Sequence, residues 1–225
     1  GKTYVCVDIR QFRMTKDIVK EICGVGIPAS IQNLLNVVGM TVLNNFTSSY
    51  GSAAVAAMGI AQKIDMVPMY IALGVSQGIM PLVSYNYASD NRRRMKQTVV
   101  FSAKITVGAL GLIALCFYAG AEFFVGMFIQ NGEIIGYGTR FLRGLCLALP
   151  FLNMDFLAVG VFQAVGMGKK AFAFAILRKI IMEIPAIYLL NRLLPLYGMA
   201  YAQFVTEVIL AAAAVITLRR MFREK

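Results

Sequence analysis

Four carboxylates stand inside long apolar stretches of this chain: Asp65, Asp155, Glu183 and Glu207. A charged side chain at the centre of a bilayer costs about 2.5–3.5 kcal/mol on insertion scales, so each needs a partner or a water-filled cavity. Neutral polar residues accompany them: Gln32, Asn33, Asn36, Gln62, Gln77, Asn153, Gln163 and Gln203. Gln32 and Asn36, four apart, share one helix face with Asn33 beside them. That stripe fits either a cavity wall or hydrogen bonding between helices. Lys179 stands four before Glu183, the spacing of a structural ion pair. Lys63 and Asp65, two apart, point different ways, so each finds a partner elsewhere or sits near an interface. Asp155 lies deep in its stretch beside Asn153, and Pro150 upstream frees a carbonyl to bond locally, so a functional use is favoured there. Glu207 stands near the middle of its stretch and its role is open.

Other chemistry is excluded by composition. The chain has no histidine, which removes Ser-His-Asp and Cys-His arrangements and imidazole metal ligands. Cys6, Cys23, Cys116 and Cys146 are scattered with no CxxC pair, and read as small core residues. No metal site or cofactor is expected. An intramembrane aspartyl protease would need two carboxylates converging on one water. Asp65 and Asp155 are available, but nothing around them marks a catalytic motif, and an enzyme is not expected.

The elements that must position these groups follow from hydropathy. Of 225 residues, 59% are hydrophobic and 15% charged, with mean hydropathy +0.69. A soluble domain carries nearer 25% charge. Apolar stretches of about twenty residues mark an all-α integral membrane protein. Six spans are expected: Ile22–Phe46, Ala53–Tyr87, Gln97–Ala119, Thr139–Val165, Ala171–Leu194 and Gly198–Leu218. Period-two alternation, which a closed barrel requires, is absent. Pro68 and Pro81 suggest a kink in the long second span, which would project past one membrane face. Thirteen Met and fifteen Phe are explained by core and lipid-facing bulk, or by a deformable cavity for varied hydrophobic ligands.

The net charge of +11 is a matter of placement. Seventeen of the 22 Lys and Arg fall on one side. They are Lys2, Arg10, Arg13, Lys16 and Lys20, then Arg92, Arg93, Arg94 and Lys96, then Lys169, Lys170, Arg178 and Lys179, then Arg219, Arg220, Arg223 and Lys225. Positive residues mark the cytoplasmic face, which puts both termini there. No basic face with interleaved aromatics appears, so a nucleic-acid partner is not expected. Residues 1–21 lack the basic segment and short apolar core of a signal peptide and read as a linker. Residues 22–218 form the six-helix lobe, and 219–225 a basic cytoplasmic tail.

Several blocks together resemble the multidrug and toxic compound extrusion (MATE) transporters, especially their clostridial-type bacterial branch. The first runs from Gly74-Val-Ser-Gln77-Gly78 through Pro81 and Tyr85-Asn86-Tyr87 to Asn91-Arg92-Arg93-Arg94-Met95. The next are Phe124-Val-Gly-Met-Phe128, Glu133-Ile134-Ile135 and Arg140-Phe141-Leu142-Arg143. Phe162-Gln163-Ala164-Val165-Gly166, Ile184-Pro185 and Leu196-Tyr197-Gly198-Met199-Ala200 complete the series. The resemblance is to spans seven to twelve, the C-terminal of two six-helix lobes, with residues 1–21 as the cytoplasmic linker between lobes.

That resemblance implies export of organic, often cationic, compounds across the bacterial cytoplasmic membrane in exchange for H⁺ or Na⁺, with the other lobe as partner. Small organic substrates and the lipid bilayer are then its surroundings. The expected cavity residues are Gln32, Asn36, Asp155, Asn153 and Gln77, with Asp65, Glu183 and Glu207 as possible coupling or structural carboxylates. Three positions depart from the family pattern, one of them Ala88, where many relatives have Gly after the Tyr-Asn-Tyr. One branch carries a glutamate eight residues after the span-seven proline, and counting from Pro28 gives Asn36. The span-ten aspartate of that branch lies about a turn from Asp155, counted from Gly160. A lipid-linked oligosaccharide flippase of the same superfamily is the alternative. It would need a cationic cavity, for which Lys63, Lys104, Arg140 and Arg143 are the candidates.

Overall fold

The computed structural model describes residues 15–223, and among them every regular element is helical. The helices are α1 (Lys16–Ser48), α2 (Ser52–Ala88), α3 (Arg92–Ala119), α4 (Ala121–Gly126), α5 (Gly132–Cys146), α6 (Leu149–Ala164), α7 (Gly168–Ile176), α8 (Ile184–Leu193) and α9 (Gly198–Arg223). A π-helical segment, Leu177–Glu183, joins α7 to α8 without interruption. A helical run covers each of the six expected spans, with shifted edges, and the expected fourth, Thr139–Val165, is broken between Cys146 and Leu149. Helices α1, α2, α3 and α9 are each long and apolar enough to cross a membrane, and α5 with α6, bent by 47° at a short break, can form one further crossing. The fifth expected span is the continuous run from Gly168 to Leu193.

Local sequence signals set the boundaries. Asn91 caps α3 by accepting the Arg94 N–H at 3.1 Å, and Asn131 caps α5 by accepting from Glu133 at 3.0 Å. Helix α6 stops in a turn where the Met167 N–H reaches back to the Phe162 carbonyl at 2.8 Å. Gly166 makes that turn possible at φ 76°, a backbone that side chains resist. The same reach, Asn91 N–H to Asn86 carbonyl at 2.8 Å, ends α2, with Asp90 taking φ 52°. Helix α1 already begins at Lys16, so the last residues of the expected linker are its first turns; residues 1–14 lie outside the described residues. Likewise α9 runs on to Arg223, making most of the basic tail a helical extension. Helix α2 continues unbroken through Pro68 and Pro81.

Helix α6 is the central rod: every residue from Asp155 to Phe162 is buried. It packs on α2, α3 and α9, and α2 packs in turn on α5. Small residues allow these approaches, as expected where helices associate without a hydrophobic driving force between them. The Ser76 hydroxyl of α2 donates to the Phe156 carbonyl of α6 at 2.6 Å, one turn before Gly160. A Cβ on Gly160 would collide with that hydroxyl. Gly144 meets Ala200 in the same manner where α5 crosses α9.

Outward faces carry large apolar side chains, among them Leu112 (64% exposed) and Leu193 (76% exposed), as lipid contact requires. Cys146 is buried, but Cys23 and Cys116 are exposed, which corrects the core assignment for those two; Cys6 lies outside the described residues. The lone thiols ride on apolar helix faces that this lobe does not itself cover.

Two alanine substitutions should move stability in opposite directions. Gly160→Ala breaks the Ser76–Phe156 bond and overpacks the crossing, an expected loss of about 1–3 kcal/mol. Gly108→Ala meets open space in α3 and should gain about 0.5–1 kcal/mol from helix preference alone. Thermal unfolding of the purified protein reads both signs.

Candidate ligand cavity and buried ion cluster

A cavity of about 430 Å³ opens along the inner faces of α1, α2, α6 and the π segment. Gln32, Asn33 and Asn36 of α1 line it, so the polar stripe forms a wall of this space. Across from them stand Gln62, Asp65, Met66, Met69, Tyr70 and Gln77 of α2, with Gln163 of α6. Gln163 and Gln32 approach to 3.5 Å between amide nitrogen and oxygen, bridging α6 and α1. The methionines that line it include Met40, Met66, Met69 and Met80, so part of the Met content is cavity wall.

The π segment supplies the cations. Arg178 lies about 15 Å along the helical run from Gly168, at 1.5 Å per residue, well inside the bundle. This corrects the sequence reading, which placed Arg178 and Lys179 on the basic membrane face. Arg178 is 4% exposed. Its Nε donates to Glu207 Oε1 of α9 at 2.8 Å, and its Nη1 lies 3.5 Å from Asp155 Oδ2 of α6. The Phe156 ring sits under the guanidinium, 5.0 Å from centroid to carbon, adding a cation–π contact. One guanidinium thus ties three elements together.

Lys179 pairs with Glu183, Nζ to Oε1 at 2.7 Å, as its spacing predicts. Gly39 of α1 lies against this pair: a Cβ there would come within 3.2 Å of the lysine and 3.3 Å of the carboxylate. The π segment ends beside Pro185, which lacks the N–H that would bond the Ile181 carbonyl. Widening the turn lets consecutive Arg178 and Lys179 both line the cavity.

The expected cavity residues are only partly brought together. Gln32, Asn36 and Gln77 line the cavity, as do Asp65 and Glu183. Asp155, Asn153 and Glu207 are buried but do not line it: Asp155 and Glu207 stand behind Arg178, and Asn153 is wholly enclosed with neither amide atom bonded within the described residues. Lys63 is exposed and forms no salt bridge with Asp65. Sequence reasoning missed Arg178. Its signal was present: it falls ten residues into a helical run, in a chain with four buried carboxylates that need cations. The described residues hold no group of three His, Cys, Asp or Glu side chains arranged for a metal.

Removing the guanidinium leaves two buried carboxylates facing each other. Arg178→Ala should therefore lower stability by about 3–5 kcal/mol, the usual effect of stripping one partner from a buried pair. Combined with Glu207→Gln, the loss should be clearly less than additive in a double-mutant cycle of unfolding free energies. Additive losses would show that the two side chains do not act on each other.

The MatE family model matches residues 28–189. The multidrug export protein MepA of Staphylococcus saprophyticus is 32% identical over 212 residues, covering 94% of this chain and 47% of that protein. MepA of Staphylococcus aureus is 30% identical over 213 residues with the same coverage. Among solved structures, an outward-facing multidrug resistance MATE family transporter of the MOP superfamily matches with TM-score 0.91 at 22% identity, over 98% of this chain and 50% of that one. The chain spans about half the length of the curated relatives it matches. Its long apolar helices make it a multi-pass membrane protein, and the chain belongs to the MatE family.

Proposed function

We propose that this chain is the C-terminal lobe of a multidrug exporter that moves organic cations outward in exchange for H⁺ or Na⁺. One observation carries the reading: the cavity and the groups behind it hold more acid than base. Among the described residues, the four carboxylates Asp65, Asp155, Glu183 and Glu207 are set against two cations, Arg178 and Lys179, neither of which bridges to Asp65, an excess of two negative charges when all are ionised. In a low-dielectric setting such an excess attracts cations strongly. Relatives named as multidrug export proteins support the direction of transport.

Asp155 is the better candidate for coupling. Glu207 holds the guanidinium by the shorter contact, 2.8 Å against 3.5 Å, so Asp155 has the looser grip, while each leaves its other oxygen, Glu207 Oε2 and Asp155 Oδ1, unbonded within the described residues. A proton or Na⁺ on Asp155 would release Arg178 toward Glu207 alone. Because Arg178 also lines the cavity, the change is felt where substrate binds. In repeat-built transporters a site between two halves alternates its access as the halves rock, and such a switch would favour one arrangement over the other. The coupling ion would thus reach the substrate site through Arg178.

The flippase alternative fares worse. Lys63, Lys104 and Arg140 are exposed, Arg143 donates to the Tyr118 carbonyl at 3.1 Å, and none lines the cavity. An anionic pyrophosphate would meet surplus acid instead. For the protease reading, Asp155 is tied to Arg178 and does not line the cavity on which Asp65 borders.

The basic residues gather at one end of the bundle, where Met95, Ala171, Leu218 and Met221 share one hydrophobic cluster close to Arg92–Arg94, Lys169, Lys170, Arg219 and Arg220. We place that end in the cytoplasm of the bacterial cell, as the positive-inside rule directs. The expected linker, residues 1–21, and both termini then lie on that side. Moving Arg178 and Lys179 into the bundle leaves the bias intact.

Two experiments follow. Ethidium export by the whole protein, in cells stripped of other exporters, should fall at least tenfold with Asp155→Asn, and the remaining transport should no longer respond to an imposed H⁺ or Na⁺ gradient; unchanged export with unchanged ion dependence contradicts the assignment. For orientation, Arg93→Cys should react with an impermeant thiol reagent only in permeabilised cells, whereas Glu133→Cys should react in intact ones.

A further inference from the structure

Three of the four buried carboxylates have a cation in contact. Asp65 does not. It is 6% exposed, lines the cavity, makes no salt bridge among the described residues, and its Oδ1 has no hydrogen-bond partner there. A buried unpaired carboxylate is costly to keep, so its ionised form is stable only when a cation arrives from outside the lobe. This inference rests on the export reading above and concerns the same cavity.

The surroundings specify what kind of cation. Gln62 is one turn before Asp65 on α2 and Met69 one turn after, so the three share a face; Met66 and Tyr70 continue the wall. Thioethers and an aromatic ring present polarisable, weakly hydrating surface. A bulky organic monocation fits this wall: it carries one charge to neutralise and an apolar skirt for the methionines. We infer that Asp65 is the anchor for the positive charge of the exported compound, with Met66, Met69 and Tyr70 receiving its apolar body, while the Arg178 cluster serves coupling. Substrate recognition and ion exchange are thus assigned to different carboxylates of one lobe.

Tetraphenylphosphonium and tetraphenylborate share a shape and differ in the sign of charge, so their affinity ratio for the whole protein in lipid nanodiscs isolates the anchor. The wild type should prefer the phosphonium. Asp65→Asn should shrink that preference at least tenfold, and Asp65→Glu should keep it within about threefold, since the charge is retained. A ratio unmoved by Asp65→Asn overturns the inference. A measurement on unaltered protein guards against a misfolded variant: dicyclohexylcarbodiimide labelling of Asp65, followed by mass spectrometry, should be blocked by tetraphenylphosphonium. Labelling at an undiminished rate under saturating phosphonium overturns the inference as well. If wild-type protein binds no phosphonium at all, the export reading itself fails; if it binds and Asp65→Asn binds equally, only the anchor role does.

Discussion

A single guanidinium, Arg178, is held between Glu207 and Asp155 in the interior of the bundle, and the rest of the lobe is arranged around that contact. An arginine so deeply placed is tolerable only with its charge matched and its donors occupied. Three elements must therefore arrive together: α6 with Asp155, the π segment with Arg178, and α9 with Glu207. The close crossing of α2 on α6, through Ser76 and Gly160, fixes the central rod that carries Asp155. Lys179 meets Glu183 one turn on and lies against Gly39 of α1.

The same constraint gives the cavity its character. Two cations are consumed by three carboxylates, and the fourth, Asp65, is left on the wall among thioethers and amides. On the proposed reading, a hydrophobic lobe with that inventory would attract positively charged, partly apolar molecules. It also contains, one layer behind the wall, a carboxylate whose grip on Arg178 is the looser of two. Recognition and coupling can then be neighbours without being one residue.

Much of this was legible in the sequence, because the bilayer imposes strong rules on composition. Length and hydropathy located the helical runs, since only helices and closed barrels can hide their polar groups in hydrocarbon and the alternation of a barrel is absent. The polar stripe of Gln32 and Asn36 and the Lys179–Glu183 pair followed from helical spacing. Arg178 was misplaced because counting basic residues by side treats every cation near a span edge as peripheral, and an α-helical reading gives no warning of a π turn. Asn153 and Glu207 were legible as buried but not as enclosed behind the wall, for depth along a helix is written in the sequence while direction around it depends on what packs there. The exposure of Cys23 and Cys116 has the same origin: an apolar stretch alone does not say which face meets lipid or another lobe.

The central claim is that the inner faces of α1 and α2 border water although both helices lie in the membrane. Thiol accessibility tests it most directly. In a cysteine-free version of the whole protein, Asn36→Cys, Met69→Cys and Gln77→Cys should react readily with a charged methanethiosulfonate, and Leu34→Cys, Ile71→Cys and Leu112→Cys, on exposed apolar faces, should not. Equal reaction at both sets, or reaction only at the second, would contradict the account.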